Sequence, residues 1–175
     1  CSKAGTAAVF KNFLILGNLV GRGGSGNTGN AAAIGTLENG IHWSAIGDPT
    51  SWPDVGTATA ADEQSDYQAL DGTGGAVTAI VPGGEYCAVF QERALWRLDY
   101  VGSPNVFALR LIEPNIGCIN QRTAVAANNM IDFASARGFM VFDGSSVQAI
   151  GSEKVDRTWL ESLDVNNTAH ATSSY

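Results

Sequence analysis

Charge is scarce in this chain, and positive charge scarcer still. Charged residues make up 15 % of the 175 positions, against about 25 % in an average soluble domain. No Lys occurs between Lys11 and Lys154, and no Lys or Arg between Arg22 and Arg93. That interval carries Glu38, Asp48, Asp54, Asp62, Glu63, Asp66, Asp71, Glu85 and Glu92, within a net charge of −7. Such a segment repels phosphate, which excludes tight nucleic-acid binding through it. An acidic wall still lets nucleic acid pass without holding it. The plain alternative is a solvated acidic face. A phosphate-binding GxxxxGK loop is excluded by the missing Lys.

Cysteine and histidine are also few. Three Cys, at 1, 87 and 118, are odd in number and lack any CxxC, so neither a disulfide framework nor a zinc site of the usual spacing is expected. Cys87 lies in an apolar run and is expected as a small buried hydrophobe; a reducing compartment fits. His42 and His170 are the only imidazoles. His42, beside Trp43 on a strand, is expected to be a half-buried polar residue rather than a base, and no GxSxG occurs. The longest apolar run near the start, residues 13–16, falls far short of the roughly 20 residues of a membrane-spanning helix. The chain opens on Cys1-Ser2 instead of Met, which suggests a cut upstream. A mature lipoprotein is the other reading, but an apolar strand pattern arrives by Ala7 without a polar tether.

Helical periodicity is nearly absent. The best case is Val155, Trp159, Leu160 and Leu163, one short amphipathic helix near 153–163. Apolar residues are abundant instead, at 45 %, together with 21 Gly. They gather in short runs at 7–10, 13–19, 41–46, 76–81, 86–91, 94–100, 106–112, 123–127, 130–135, 138–143 and 147–150. Between these runs stand KN, PGG, ER, GSPN, NN, ARG and DGSS, all turn signatures. Short strands on a regular turn spacing imply a sandwich, a barrel or a propeller.

An internal repeat favours the last. Residues 76–100 align without a gap on 120–144, at an offset of 44. Val81 meets Val125, Arg93 meets Arg137, and Asp99 meets Asp143; Leu95 and Leu98 each meet Phe. An earlier copy begins AAVF-KN-FLILGNL and, after an insertion, resumes at IHWSAIGD. A four-stranded unit of that length matches a propeller blade of about 40–45 residues. A blade covers its faces by stacking on its neighbours, and closure takes roughly 4–8 of them. The expected fold is therefore all-β and propeller-like, about three four-stranded antiparallel blades of a larger propeller over residues 1–165. The approximate blades are 7–60, 76–115 and 120–152, and 166–175 is expected to start a further strand region. A β-sandwich is the alternative. Trp96, on the third strand of the second blade, is expected to be buried between blades.

No motif assembles chemistry. Gly21, Gly23 and Gly26 fit G-x-G-x-x-G, but NTGNAAAIGTLENG follows where dinucleotide binding needs a helix. HWSAIGDPTSWPDV (42–55) holds a Gly-Asp-Pro-Thr turn signature, with Trp43 and Trp52 expected to cover a blade edge. Its letters resemble the Asp-box of sialidases, itself a turn motif, and the arginine cluster and acidic pair of such enzymes are missing. The acidic stretch 62–72 lacks calcium-loop ligand spacing and reads as a solvated loop. No catalytic, cofactor-binding or metal-ligating residue is assigned, and no cofactor or enzymatic activity is expected.

One ordered set is more specific: WS-x-x-GDP-x-x-W from Trp43, E-R-x-L-W-R from Glu92, G-C-x-x-x-R from Gly117, and G-x-x-V-F-D-G from Gly138. Over roughly residues 41–165 the chain resembles the β-propeller region of tail nozzle, hub and DNA-stabilisation proteins of short-tailed bacteriophages. The resemblance implies a structural role in the virion tail, in a homo-oligomeric ring that docks other tail proteins, on the adaptor or portal side and at fibres or spikes. DNA would pass through that ring during ejection without specific binding. The alternatives are a carbohydrate-binding or glycosidase-like propeller for host attachment, and a bacterial surface propeller module.

Overall fold

Alternating apolar residues give each strand two faces, and the order of tight turns decides which strands pair. A computed structural model describes residues 3–20, 34–152, 155–164 and 167–172. Among these residues, strands form three four-stranded antiparallel sheets, each a meander in chain order. Sheet 1 comprises β1 (Lys3–Phe10), β2 (Phe13–Val20), β3 (Leu37–Trp43) and β4 (Asp66–Ala69). Sheet 2 comprises β5 (Val77–Pro82), β6 (Cys87–Gln91), β7 (Leu95–Gly102) and β8 (Val106–Glu113). Sheet 3 comprises β9 (Ala124–Ala127), β10 (Met130–Ser135), β11 (Gly138–Phe142) and β12 (Val147–Ala149). The offset of 44 carries β5, β6 and β7 onto β9, β10 and β11; it fails at the fourth strand, since β7 runs for eight residues and β11 for only five. The hairpins of β1–β2 and β9–β10 turn on Lys11-Asn12 and Asn128-Asn129, both residues of each pair at positive φ. That geometry matches the twist of the flanking strands.

The sheets stack, and sheet 2 lies between the other two. One core seam joins sheets 1 and 2 through Phe10, Phe13, Ile15 and Trp43 against Ile80, Val89, Leu98 and Phe107. The other joins sheets 2 and 3 through Ala79, Phe90 and Leu95 against Ile131, Phe133 and Phe142. Every residue of β6 is buried, because Cys87 and Val89 serve the first seam while Ala88 and Phe90 serve the second. In β5 the register slips between Val77 and Ala79. This bulge puts Val77 and Ile80 in one seam and Ala79 and Val81 in the other, which strict alternation would not do.

The innermost strands meet. Thr6 of β1 donates to the Gln121 side chain. The same Gln121 Oε1 accepts from Ile80 N at 2.7 Å, and its Nε2 donates to Ile80 O at 3.0 Å. One side-chain amide thus completes the edge of β5 and ties it to β1 and to the 3-10 turn Gln121–Thr123 that leads into β9. At the rim the sheets part. A groove of about 510 Å³ separates Asp66 and Gln68 of β4 from Phe107 and Leu109 of β8. Sheets joined inside and splayed outside are blade-like.

Several boundaries differ from the sequence reading. Blade 1 does not end at 60: its fourth strand is β4, inside the acidic stretch expected as a solvated loop. A short helix α1 (Ala58–Asp62) precedes it, capped by Thr57 Oγ1 accepting from Ala60 N. The helix α2 spans Asp156–Ser162, narrower than 153–163. Within 167–172, the part of the expected further strand region that is described, Thr168–His170 is a 3-10 turn. Trp43 does not cover an edge; it is buried in the first seam. His42 is fully rather than half buried. Trp96 is only partly buried, packed against the first seam. Cys1 and the Gly21–Gly26 motif lie outside the described residues.

Candidate functional site

Antiparallel meanders send alternate loops to opposite ends of the sheets. At one end stand the β1–β2 turn, the long 44–65 connection, the 83–86 turn, the 103–105 turn, the Asn128-Asn129 turn and the 143–146 turn. Their charged residues are Asp48, Asp54, Asp62, Glu63, Glu85 and Asp143 against Lys11 alone. Lys11 Nζ bonds Glu85 at 2.9 Å, across the mouth of the first seam. The opposite end, with links 70–76, 92–94, 114–123 and 136–137, mixes Asp71 and Glu92 with Arg93, Arg122 and Arg137. The acidic bias of the sequence is therefore concentrated at one end.

Many of these carboxylates build the turns that carry them. Asp48 Oδ1 accepts from Thr50 N at 2.8 Å and Thr50 Oγ1 at 2.7 Å. Asp143 accepts from the backbone N–H of Ser145 and Ser146, both at 2.7 Å, and from Ser146 Oγ. At the other end Asp71 accepts from Thr73 N at 2.9 Å. Hydrogen bonds to the ionised form lower a carboxyl pKa. The Thr50 hydroxyl does so for Asp48, the Thr73 amide for Asp71, and the Ser146 amide for Asp143. A depressed folded pKa means the contribution is complete above the unfolded value and is lost as pH falls through the folded one. All three carboxyl carbons are expected to titrate below 3.8 in a pH series by NMR. Midpoints at or above that value would show open turns.

Segment 42–55 is a corner. Ser44 Oγ accepts from Leu14 N at 3.1 Å, and Ala45 N donates to Ser51 O at 3.0 Å. Ile46 N reaches Glu63 O, and Gly47 N reaches Asn12 O, which pins the corner to the β1–β2 turn. Trp43 Nε1 donates to Gln64 O and Trp52 Nε1 to Pro49 O, each at 2.9 Å. Trp52 also packs edge-on over His42, with centroids 4.8 Å apart. His42 is thus sealed beneath an indole on sheet 1, while His170 is exposed beyond sheet 3. The two imidazoles belong to different ends of the stack.

The other motif residues hold links and seams. Arg93 Nη2 donates to Thr73 O at 3.0 Å, closing the link into β5. Buried Gln91 donates to Asp71 O and Gly75 O and accepts from Trp96 Nε1 at 2.7 Å. Arg97 grips Asp99 on its own strand and donates to Gly144 O, 2.7 Å away beside sheet 3. Its guanidinium lies 5.0 Å from the centre of the Tyr86 ring, and Tyr86 Oη donates to Asn129 O at 2.9 Å. Burial raises the Tyr86 pKa. A Cβ on Gly117 would lie 2.0 Å from Gln91 O, so the chain passes there only as glycine. Cys87 and Cys118 are buried, and desolvation pushes both thiols above their ordinary range. The Gln121 amide had no sequence signal, because nothing in one dimension marks which side chain meets a distant strand edge.

Among the described residues no group of three or more His, Cys, Asp or Glu is placed to hold a metal ion. Asp62, Asp66 and Asp71 fall on α1, on β4 and at the cap of the 3-10 turn Gly72–Gly74. No helix among them is long and apolar enough to cross a membrane. No protein-family model matches the chain, and no curated protein matches it.

Proposed function

We propose that this chain is a structural part of the tail of a short-tailed bacteriophage, a nozzle or hub segment along the path of DNA ejection. It works by shape and subunit contact. One observation carries the reading: the residues that make the resemblance to tail proteins are spent on the corner, links and seams of stacked sheets. Trp43, Trp52, Arg93, Trp96, Arg97, Gly117 and Asp143 each hold a turn or a sheet in place. The acidic end supports the same role, since a surface that repels phosphate lets duplex DNA slide past.

Antibodies raised against the chain are expected to label virions that carry it at the tail axis, below the head. Label confined to the head shell or to peripheral fibres overturns the proposal. A second reading, a glycan-binding module, draws on the rim groove, where Asp66, Gln68 and Asn105 line one opening. A glycan-array signal that disappears in Asp66→Ala would favour it.

A further inference from the structure

The rim groove of about 510 Å³ runs between two edge strands, β4 of sheet 1 and β8 of sheet 2. Among the described residues β4 pairs with β3 alone and β8 with β7 alone. The two edges are built differently. On β4, Leu70 N donates to Asn39 O, a register that turns the main-chain groups of Tyr67 and Ala69 outward. Neighbouring side chains then cap them. Asp66 Oδ1 accepts from Tyr67 N at 2.8 Å, and Gln68 Nε2 donates to Ala69 O at 3.1 Å. A four-residue strand capped in this way is a poor template for another strand.

The edge of β8 is open. The strand has eight residues, contains no Lys or Pro, and among the described residues no side chain caps the backbone of 108–112. Ala108 and Arg110 are exposed, and Leu111 is 41 % exposed. The two faces of the strand differ. Leu109 pairs with Leu98 of the first seam and borders the groove. Arg110 pairs with Arg97, which reaches Gly144 O, so Arg110 stands on the sheet 3 side. On the groove side Asp66 is the sole charged lining residue. A second cavity of about 200 Å³ shares Asp66 and Pro104 with the groove and adds no other charge. Neither Asp66 nor Arg110 takes part in an ion pair among the described residues.

We infer that the edge of β8 takes a fifth strand from a partner protein, an extended segment with a Lys or Arg directed into the groove at Asp66. An Asp or Glu an odd number of residues away lies on its other face, against Arg110. Main-chain hydrogen bonds to β8 hold such a segment, and the two opposite charges, one on each face, set its register. Charge complementarity on both faces selects this occupant. A sugar finds less to stack on, because Trp43 and Phe107 beneath the groove are only 3 % and 8 % exposed. The docking follows from strand geometry, so a failure to label the tail axis would leave it standing.

The probe is the acetylated and amidated peptide Val-Glu-Val-Thr-Lys-Thr, whose Glu and Lys fall on opposite faces of a strand. Titrated into the isotope-labelled chain, it is expected to bind with a Kd of about 0.1–1 mM. Amide NMR shifts should concentrate at residues 107–111 and at Asp66 and Gln68, and hydrogen exchange along β8 should slow. Asp66→Asn keeps an acceptor for Tyr67 N but removes the charge, and is expected to weaken binding about fivefold; Arg110→Gln should do the same. Both residues are exposed, so circular dichroism melts of the variants should match the wild type. The decisive arm methylates the peptide nitrogens at alternate residues. One alternate set points at β8 and should abolish binding, while the other should be tolerated. No shifts at β8, indifference to either charge variant, or methylated sets that are both tolerated or both fatal would each overturn the docking. So would self-association of the chain through β8, seen as concentration-dependent shifts at 107–111 without peptide.

Discussion

Replacing Phe90 with Ala is expected to cost about 3–5 kcal/mol, the range for deleting a fully buried aromatic ring. For a chain of this size that is a fall of about 6–20 °C in Tm. Phe90 is 0 % exposed on the central strand of the middle sheet, and its ring lies 4.7 Å from Phe133 of sheet 3. Leu95 is its cross-strand partner, and the strand side chains packed around it, Ile131, Phe133 and Phe142 among them, are fixed by their own pairing. Phe90→Leu, which keeps most of the volume, should recover most of the loss. Trp96→Ala is expected to cost less, because that ring is half-buried and its main tie is the bond to Gln91. Thermal and urea melts of the three variants check the order; a Phe90→Ala melt at the wild-type midpoint would show that sheets 2 and 3 do not share this seam.

Gln121→Ala is expected to be the most damaging polar substitution. It leaves the N–H and C=O of fully buried Ile80 without their partner and removes the acceptor for Thr6 Oγ1. Each orphaned buried group costs about 1–3 kcal/mol, so the two on Ile80 together cost about 2–6 kcal/mol. Gln121→Glu separates hydrogen bonding from packing. A carboxylate still accepts from Ile80 N but sets an oxygen against Ile80 O, so it should be nearly as harmful at neutral pH and milder in acid, where the protonated group donates again. Hydrogen exchange at Ile80 is the direct readout. Amide protection unchanged in Gln121→Ala would mean that the edge of β5 is covered by something else.

These two residues also mark what could be read in advance. The run CAVF around Phe90 announces a strand buried on both faces, and its place in a repeated unit announces neighbours on both sides. Gln121 sits in a polar turn and announces nothing, since its role depends on an edge of β5 that comes 41 residues earlier in the chain. The strand β4 was hidden for a related reason. Residues 66–69 are mostly exposed, so burial writes no alternation into them, and only pairing with β3 makes them a strand. His42 was placed on the correct strand, yet the distant Trp52 that seals it decides its burial.

Periodicity, turn chemistry and the spacing of 44 residues determined the all-β class, most strand limits, the hairpins and the recurrence of a four-stranded unit. These are local properties: alternation and positive-φ turns are written within a few residues of where they act. Only the tertiary structure decided which face of each strand meets which neighbour, because the bulge in β5 moves side chains between seams. It alone decided that the carboxylates gather at one end, since that follows from the order in which antiparallel strands reverse, and that, among the described residues, the corner covers His42 of β3 but leaves Val9 of β1 exposed.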